Sequence, residues 1–212
     1  MQSLNKIITT YNTVADDYAA ERSDELSKKP LDHLLLKEFA RVNAGKGPMA
    51  DFGCGPGHTT KFLYDSGVKD ITGIDIAEAM VQAAGRLFPE IKFETGNLLK
   101  LDYPSGHFGA ALAFYAIVHF MDDALTSAFN EVCRVLKPGG QFLFSFHVGE
   151  ETVHFDKAGD KEVDIDLYFF PMDKIIKFVT EAGFTVIDAI KRYPYKDADY
   201  PSKRGYIWVE KQ

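Results

Sequence analysis

The chain has 212 residues, with 24 Lys+Arg against 31 Asp+Glu for a formal net charge of −7, and is 46% hydrophobic and 26% charged. That length buries one sizeable core and is short for two, and the composition excludes a disordered or fibrous chain. The acidic balance offers no general attraction to a polyanion, no basic cluster is interleaved with aromatics, and no apolar run reaches the ~18 residues of a membrane span, so neither nucleic acid nor a membrane is an expected partner. The opening residues lack the apolar core and cleavage site of a secretory signal, and Cys54 and Cys133 are expected to be reduced and buried, which points to the cytoplasm.

Residues 4–22 carry helix-like stretches with Tyr11, Val14 and Tyr18, followed by a polar break over 23–29. Pro30 suits a first helical turn, and Leu31, Leu34, Leu35, Phe39 and Val42 repeat along one face. A turn at 43–48 leads into a first strand over 49–52, a glycine turn at Gly53, Gly55 and Gly57, and a helix that continues to Gly67. A second strand over 70–74 ends on Asp75, and the next helix places Met80, Ala83, Ala84 and Leu87 on one face. A short third strand over 91–94 ends at Gly96. The nearly continuous apolar run of 107–120 contains a strand buried on both faces. Leu125, Ala128, Phe129, Val132, Val135 and Leu136 mark a helix expected to stop at Pro138-Gly139-Gly140, before a buried strand over 141–146.

Such alternation implies right-handed crossovers and a parallel sheet with helices on both faces. Residues 149–166 are polar, acidic and without a sustained period, as in a functional lid or a mobile stretch. A last helix over 172–182 ends at Gly183, and strands over 184–191 and 204–210, with no helix between them, pair as an antiparallel hairpin.

Alternate glycines let a ligand lie directly against main-chain N–H groups. A dinucleotide fingerprint would need glycine where His58 stands, whereas Asp51 precedes the turn by two residues. D-x-G-x-G-x-G at 51–57, Asp75 after the second strand, Gly96-Asn97-Leu98 after the third, the apolar fourth strand, LKPGG before the fifth and the terminal antiparallel pair together resemble the class I S-adenosylmethionine-dependent methyltransferases. The likeness covers nearly the whole length and is closest to the small-molecule branch that includes the ubiquinone and menaquinone biosynthesis methyltransferases. It implies an α/β, Rossmann-like doubly wound sheet, mostly parallel with an antiparallel C-terminal strand. It also implies one domain over 1–212: a helical cap at 1–44, a cofactor-binding half at 45–147, and at 148–212 an acceptor-side insertion with the last helix and strand pair. The implied cofactor is S-adenosyl-L-methionine, and the implied reaction is in-line methyl transfer to a small-molecule acceptor. The sequence carries no sign of an oligomeric state.

On this resemblance the N–H groups of Gly53, Cys54 and Gly55 approach the cofactor's methionine carboxylate, Asp51 complements its ammonium, and Asp75, with Ile76 beside it, takes the ribose hydroxyls. Asp75 equally suits a helix N-cap, and Met80 suits either adenine packing or the core. Asn97 stands where aspartate is more usual; its carbonyl can accept from the adenine amino group, and Leu98 offers a backbone N–H. Phe114 and Tyr115 lie beneath the cofactor, while Tyr11, Tyr18 and Arg22 fold over its methionine end, where ring faces suit a sulfonium. The tyrosines equally suit ordinary packing. His119 and His147, each following a strand, are the candidate bases, needed only if the acceptor must lose a proton. His147, Glu150, His154 and Asp156 sit in too featureless a stretch to suggest a metal site. Two other readings compete: a nicotinamide-dependent oxidoreductase, for which Asp75 would also suit a ribose, and a cofactor-binding protein without turnover.

Overall fold

A computed structural model describes residues 3–22 and 24–212; Ser23, in the expected polar break, lies outside the described residues. Ser3 opens α1 (Leu4–Glu21), its Oγ accepting the Lys6 N–H at 3.3 Å, and the helix buries Ile7, Val14 and Ala15. A 3-10 turn at Glu25–Lys28 precedes α2 (Pro30–Asn43), where Pro30 occupies the first turn and Leu36, Phe39 and Ala40 are buried. Then come β1 (Met49–Phe52), α3 (His58–Asp65), β2 (Ile71–Asp75), α4 (Glu78–Leu87), β3 (Lys92–Thr95) and β4 (Phe108–Phe114). A 3-10 turn at Ile117–His119 leads to α5 (Asp122–Val135) and the long β5 (Leu136–Val148). The chain continues through β6 (Thr152–Ala158), β7 (Lys161–Tyr168), α6 (Met172–Glu181), β8 (Phe184–Arg192) and β9 (Lys203–Lys211).

Seven strands form one sheet in the order β3-β2-β1-β4-β5-β9-β8. The pairs from β3 to β5 are parallel, and β9 is antiparallel to both of its neighbours, β5 and β8, so β9 alone runs against the others. This is the expected mostly parallel sheet, and the terminal strands pair as expected. Alternation along β5 divides the core: Phe142, Phe144 and Phe146 face Phe129 of α5, whereas Leu143 packs with Leu36, Phe39 and Trp208 on the other side. Gln141 Oε1 accepts from Asn43 Nδ2 at 3.0 Å and Trp208 Nε1 at 3.2 Å, fixing α2 across β5 and β9.

Two expectations are corrected. The helix of α5 stops at Val135, and Leu136 to Gly140 already belong to β5, because Leu136 pairs with Phe108 before residues 137–140 bulge out and Gln141 pairs with Ala110. Residues 149–166 are not a featureless lid: β6 and β7 form an antiparallel hairpin that turns at Gly159, where φ is 61°. Its alternation of Val153 and Phe155, and of Val163, Ile165 and Leu167, is diluted by charged residues because only one face is covered.

Candidate functional site

Parallel strands deliver their carboxyl ends to one side of a sheet, where successive loops can close around a ligand. The ends of β1, β2, β4 and β5 surround a cavity of about 680 Å³, bounded also by α1 and by the β6–β7 hairpin. Every residue that the resemblance assigns to the cofactor, from Tyr11 to Tyr115, lines it, as do the candidate bases His119 and His147.

The glycine turn closes upon itself. Gly53 N and Cys54 N both donate to Ile74 O, at 2.7 and 3.2 Å, and Gly55 N donates to Asp75 Oδ2 at 2.8 Å. The expectation that these three N–H groups face a carboxylate is therefore corrected: the turn needs them to satisfy its own backbone and to tie β1 to β2. What the glycines provide is space. Gly53 has φ 67° and a Cβ there would lie 2.5 Å from Ala116 Cβ, whereas a Cβ on Gly55 would meet only Tyr18, at 4.0 Å, and would project into the cavity.

Asp75 is buried, with Oδ1 accepting the Ala77 N–H at 2.9 Å. Of the carboxylate's lone pairs, those not taken by backbone N–H groups stay open, so it can anchor the turn into α4 and still accept from a hydroxyl. Burial raises its pKa above the ordinary value, opposed by the hydrogen bonds from the Ala77, Gly55 and Ile76 N–H groups. Asp51 is buried more deeply and accepts the Thr60 hydroxyl at 2.6 Å. Burial pushes its pKa up to about 7, with the Thr60 hydrogen bond opposing and the Asp75 charge reinforcing. Met80 packs with Val14, Ala15 and Ala77, with Tyr11 and Tyr18 against that cluster, and also reaches the cavity. The Asn97 carbonyl oxygen already accepts the Leu99 N–H at 2.9 Å and retains one lone pair for a ligand. Arg22 donates to Glu25 at 2.6 Å, and its guanidinium carbon lies 4.8 Å from the Tyr18 ring centroid.

The two histidines are held differently from free bases. His119 Nδ1 faces the Asp166 carbonyl at 3.2 Å, which can only accept, so the proton sits on Nδ1 and Nε2 accepts from Tyr11 OH at 2.7 Å. Its basic nitrogen is thus occupied, and burial lowers its pKa to about 4. His147 Nδ1 bonds Ser202 Oγ at 2.7 Å, and the ring stacks on Phe169 with centroids 4.8 Å apart. Burial lowers its pKa to about 3, assisted by the charges of Arg204 and Lys29. Both imidazoles are neutral and weakly basic, which weakens the expectation that either serves as base.

Sequence reasoning missed a buried polar network beside the cavity. Asp32 Oδ1 accepts from Arg192 at 2.9 Å and Tyr206 OH at 2.6 Å; Asp199 is gripped by Arg192, Arg204 and Lys29. Lys29, Asp32 and Arg204 line the cavity. A carboxylate in the apolar stripe of α2 and an arginine opening the apolar β9 were the available signals. Among them stands Tyr115, whose φ of 56° ends β4 sharply and whose N–H donates to Ser145 O at 3.1 Å.

The cofactor implied by the resemblance fits this lining: buried carboxylates at Asp51 and Asp75, open room over Gly55, and the rings of Tyr11 and Tyr18 all face one space. Among the described residues no group of three or more His, Cys, Asp or Glu is arranged to hold a metal ion, and no helix is long and apolar enough to cross a membrane.

Known proteins resemble the chain in sequence and in fold. A family described as a methyltransferase domain matches residues 49–140. The chain is 27% identical over 150 residues to a sterol 24-C-methyltransferase of Gibberella zeae, covering 65% of this chain and 39% of that protein. It is 33% identical over 125 residues to the 2-methyl-6-phytyl-1,4-hydroquinone methyltransferase of Synechocystis, covering 58% and 36%. The chain thus spans less than half the length of either relative. The crystal structure of an S-adenosylmethionine-dependent methyltransferase from Methanosarcina mazei shares the fold, with a TM-score of 0.72 at 16% identity, covering 82% of this chain and 96% of that one.

Proposed function

We propose that this chain, whose residues 49–140 match a methyltransferase domain, is a class I S-adenosylmethionine-dependent methyltransferase that transfers the cofactor's methyl group to a small-molecule acceptor by in-line displacement. The observation that carries the reading is the single cavity in which the carboxylates of Asp51 and Asp75 and the aromatic residues after β4 and β5 share one space. The bound cofactor supplies an already activated methyl on a sulfonium. The chain's own work is then to bind, align and exclude water. Asp75 receives the ribose hydroxyls, Asp51 the ammonium, and Asn97 with Leu98 the adenine edge; Met80 flanks the ring. Tyr11, Tyr18 and Arg22 close over the methionine end, and Phe114 and Tyr115 form the floor. With His119 engaged by Tyr11 and His147 depressed in pKa, neither of these two is a strong base, which favours acceptors that are already nucleophilic.

Residues 1–212 are read as one such domain because the cap at 1–44, the half at 45–147 and the segment 148–212 all contribute to the cavity lining. The free Cys54 and Cys133 support a reducing, cytoplasmic setting. The likeness to the hydroquinone methyltransferase supports a place near the quinone-methylating branch. Calorimetry with S-adenosylmethionine, S-adenosylhomocysteine and NAD tests the reading: both sulfur compounds bind and NAD does not. Tight NAD binding without response to either sulfur compound would overturn it in favour of an oxidoreductase.

A further inference from the structure

Beyond Tyr115, on the side away from Asp75, the cavity wall is built from residues that the proposed cofactor contacts leave unassigned. The rings of Tyr115 and His147 lie 5.4 Å apart by centroid, His147 and Tyr200 6.0 Å, and Tyr200 and Phe155 6.0 Å. Lys29 Nζ and the Arg204 guanidinium carbon each stand 5.5 Å from the Tyr115 centroid. All six residues line the cavity, yet the side chains of Lys29 and Arg204 are only 4% and 3% exposed.

These cations are not fully balanced. Lys29 bonds Glu25, but Glu25 is shared with Arg22 at 2.6 Å, and Lys29 reaches Asp199 Oδ1 at 3.2 Å. Arg204 contacts the same Asp199 oxygen at 3.3 Å, while Arg192 holds the other at 2.5 Å and Asp32 at 2.9 Å. Four cations, Arg22, Lys29, Arg192 and Arg204, therefore divide three carboxylates, Glu25, Asp32 and Asp199. Buried charges without full partners are costly, and the sulfonium would add a further positive charge to the same space. Asp199, fully buried behind the wall, does not reach the cavity, and Asp32, which does, is already engaged by Arg192 and the Tyr206 hydroxyl, so Lys29, Arg204 and the rings are what the wall offers an anion.

We propose that the methyl acceptor is a small aromatic acid, its anionic group drawn to Lys29 and Arg204 and its ring packed among Tyr115, His147, Phe155 and Tyr200. The term acceptor rests on the methyltransferase reading; the anion-selective aromatic pocket does not. An arginine at such a site can meet a carboxylate with charge-assisted hydrogen bonds.

Calorimetric titration of the full chain with benzoate, benzamide and benzylamine, each with and without S-adenosylhomocysteine, tests the pocket. Benzoate is expected to bind about tenfold or more tightly than either neutral or cationic analogue, the worth of one hydrogen bond to a charged group. Arg204→Met and Lys29→Met should each bring benzoate toward benzamide while S-adenosylhomocysteine still binds. Benzoate binding no tighter than benzamide, a preference for benzylamine, or an acid preference that survives in both variants overturns the proposal. Should a variant fail to show a cooperative thermal transition, the ranking of the three ligands on the unaltered chain decides. A benzoate preference without S-adenosylhomocysteine binding would strike the methyltransferase reading alone; cofactor binding without the preference would strike only the acid pocket.

Discussion

Asp51 works against the stability of its own fold. Among the described residues it has the Thr60 hydroxyl but no ion pair, and its pKa stands at about 7 against an ordinary 3.8. A raised folded-state pKa means that this group's stabilising contribution is full below the ordinary value and lost as pH rises through about 7. A bound ammonium asks for the opposite, since it favours the ionised carboxylate. Cofactor affinity should therefore fall as pH is lowered from about 8 to about 6, and Asp51→Asn should flatten that slope. Calorimetry with S-adenosylhomocysteine across this window measures it; a slope that persists in the variant belongs to another group. His119 at about 4 and His147 at about 3 cannot supply it, because both stay neutral throughout. Asp75 offers a second test at the same scale. Asp75→Ala should weaken S-adenosylhomocysteine by ~1.5 to 3 kcal/mol, the range for hydrogen bonds to a charged group. Unchanged affinity would remove Asp75 from the site and leave it as the anchor of the Gly55 and Ala77 N–H groups.

Between elements, the chain Tyr11–His119–Asp166 joins α1, the 3-10 turn after β4, and β7 through one imidazole. Tyr11→Phe would leave a buried Nε2 without its donor, at a cost of about 1–3 kcal/mol. The expected signature is a lower thermal midpoint with faster amide exchange in α1 and β7 and unaltered exchange in β4 and β5. Equal exchange in α1 before and after the substitution would show that the contact restrains nothing. The same elements show what the sequence made legible. Local, strongly periodic segments such as α2, and the strand–turn–helix around Gly53, could be read because their signals lie within a few neighbouring residues. The β6–β7 hairpin escaped because half of its surface is solvated, so its alternation is carried by few apolar residues. The Lys29, Asp32 and Arg204 network escaped for another reason: Asp32 and Tyr206 bond across a separation of 174 residues, and only the threading of the sheet brings them together. The glycine turn was correctly located but its N–H groups were assigned outward, when the Ile74 carbonyl and Asp75 take them inward.

At the scale of the molecule, the seven-stranded sheet and the two-stranded hairpin are separate ladders. Replacing residues 152–168 by a short flexible linker should weaken S-adenosylhomocysteine binding, since Phe155, Val163, Ile165 and Leu167 line the cavity, while the far-UV dichroism retains the α/β signature. Loss of cooperative unfolding in that variant would instead make the hairpin part of the core. The sheet itself has an assembly problem of its own making. β9 lies between β5 and β8, pairing with Gln141 to Val148 on one side and Phe184 to Arg192 on the other. While the chain is being synthesised, β5 must therefore wait with an open, apolar edge until the segment from Lys203 onward has left the ribosome, and β8 has no partner until the same moment. A nascent chain stalled before that point exposes a ready template for strand pairing with other molecules, so chaperone capture should peak just before β9 emerges and fall as it inserts.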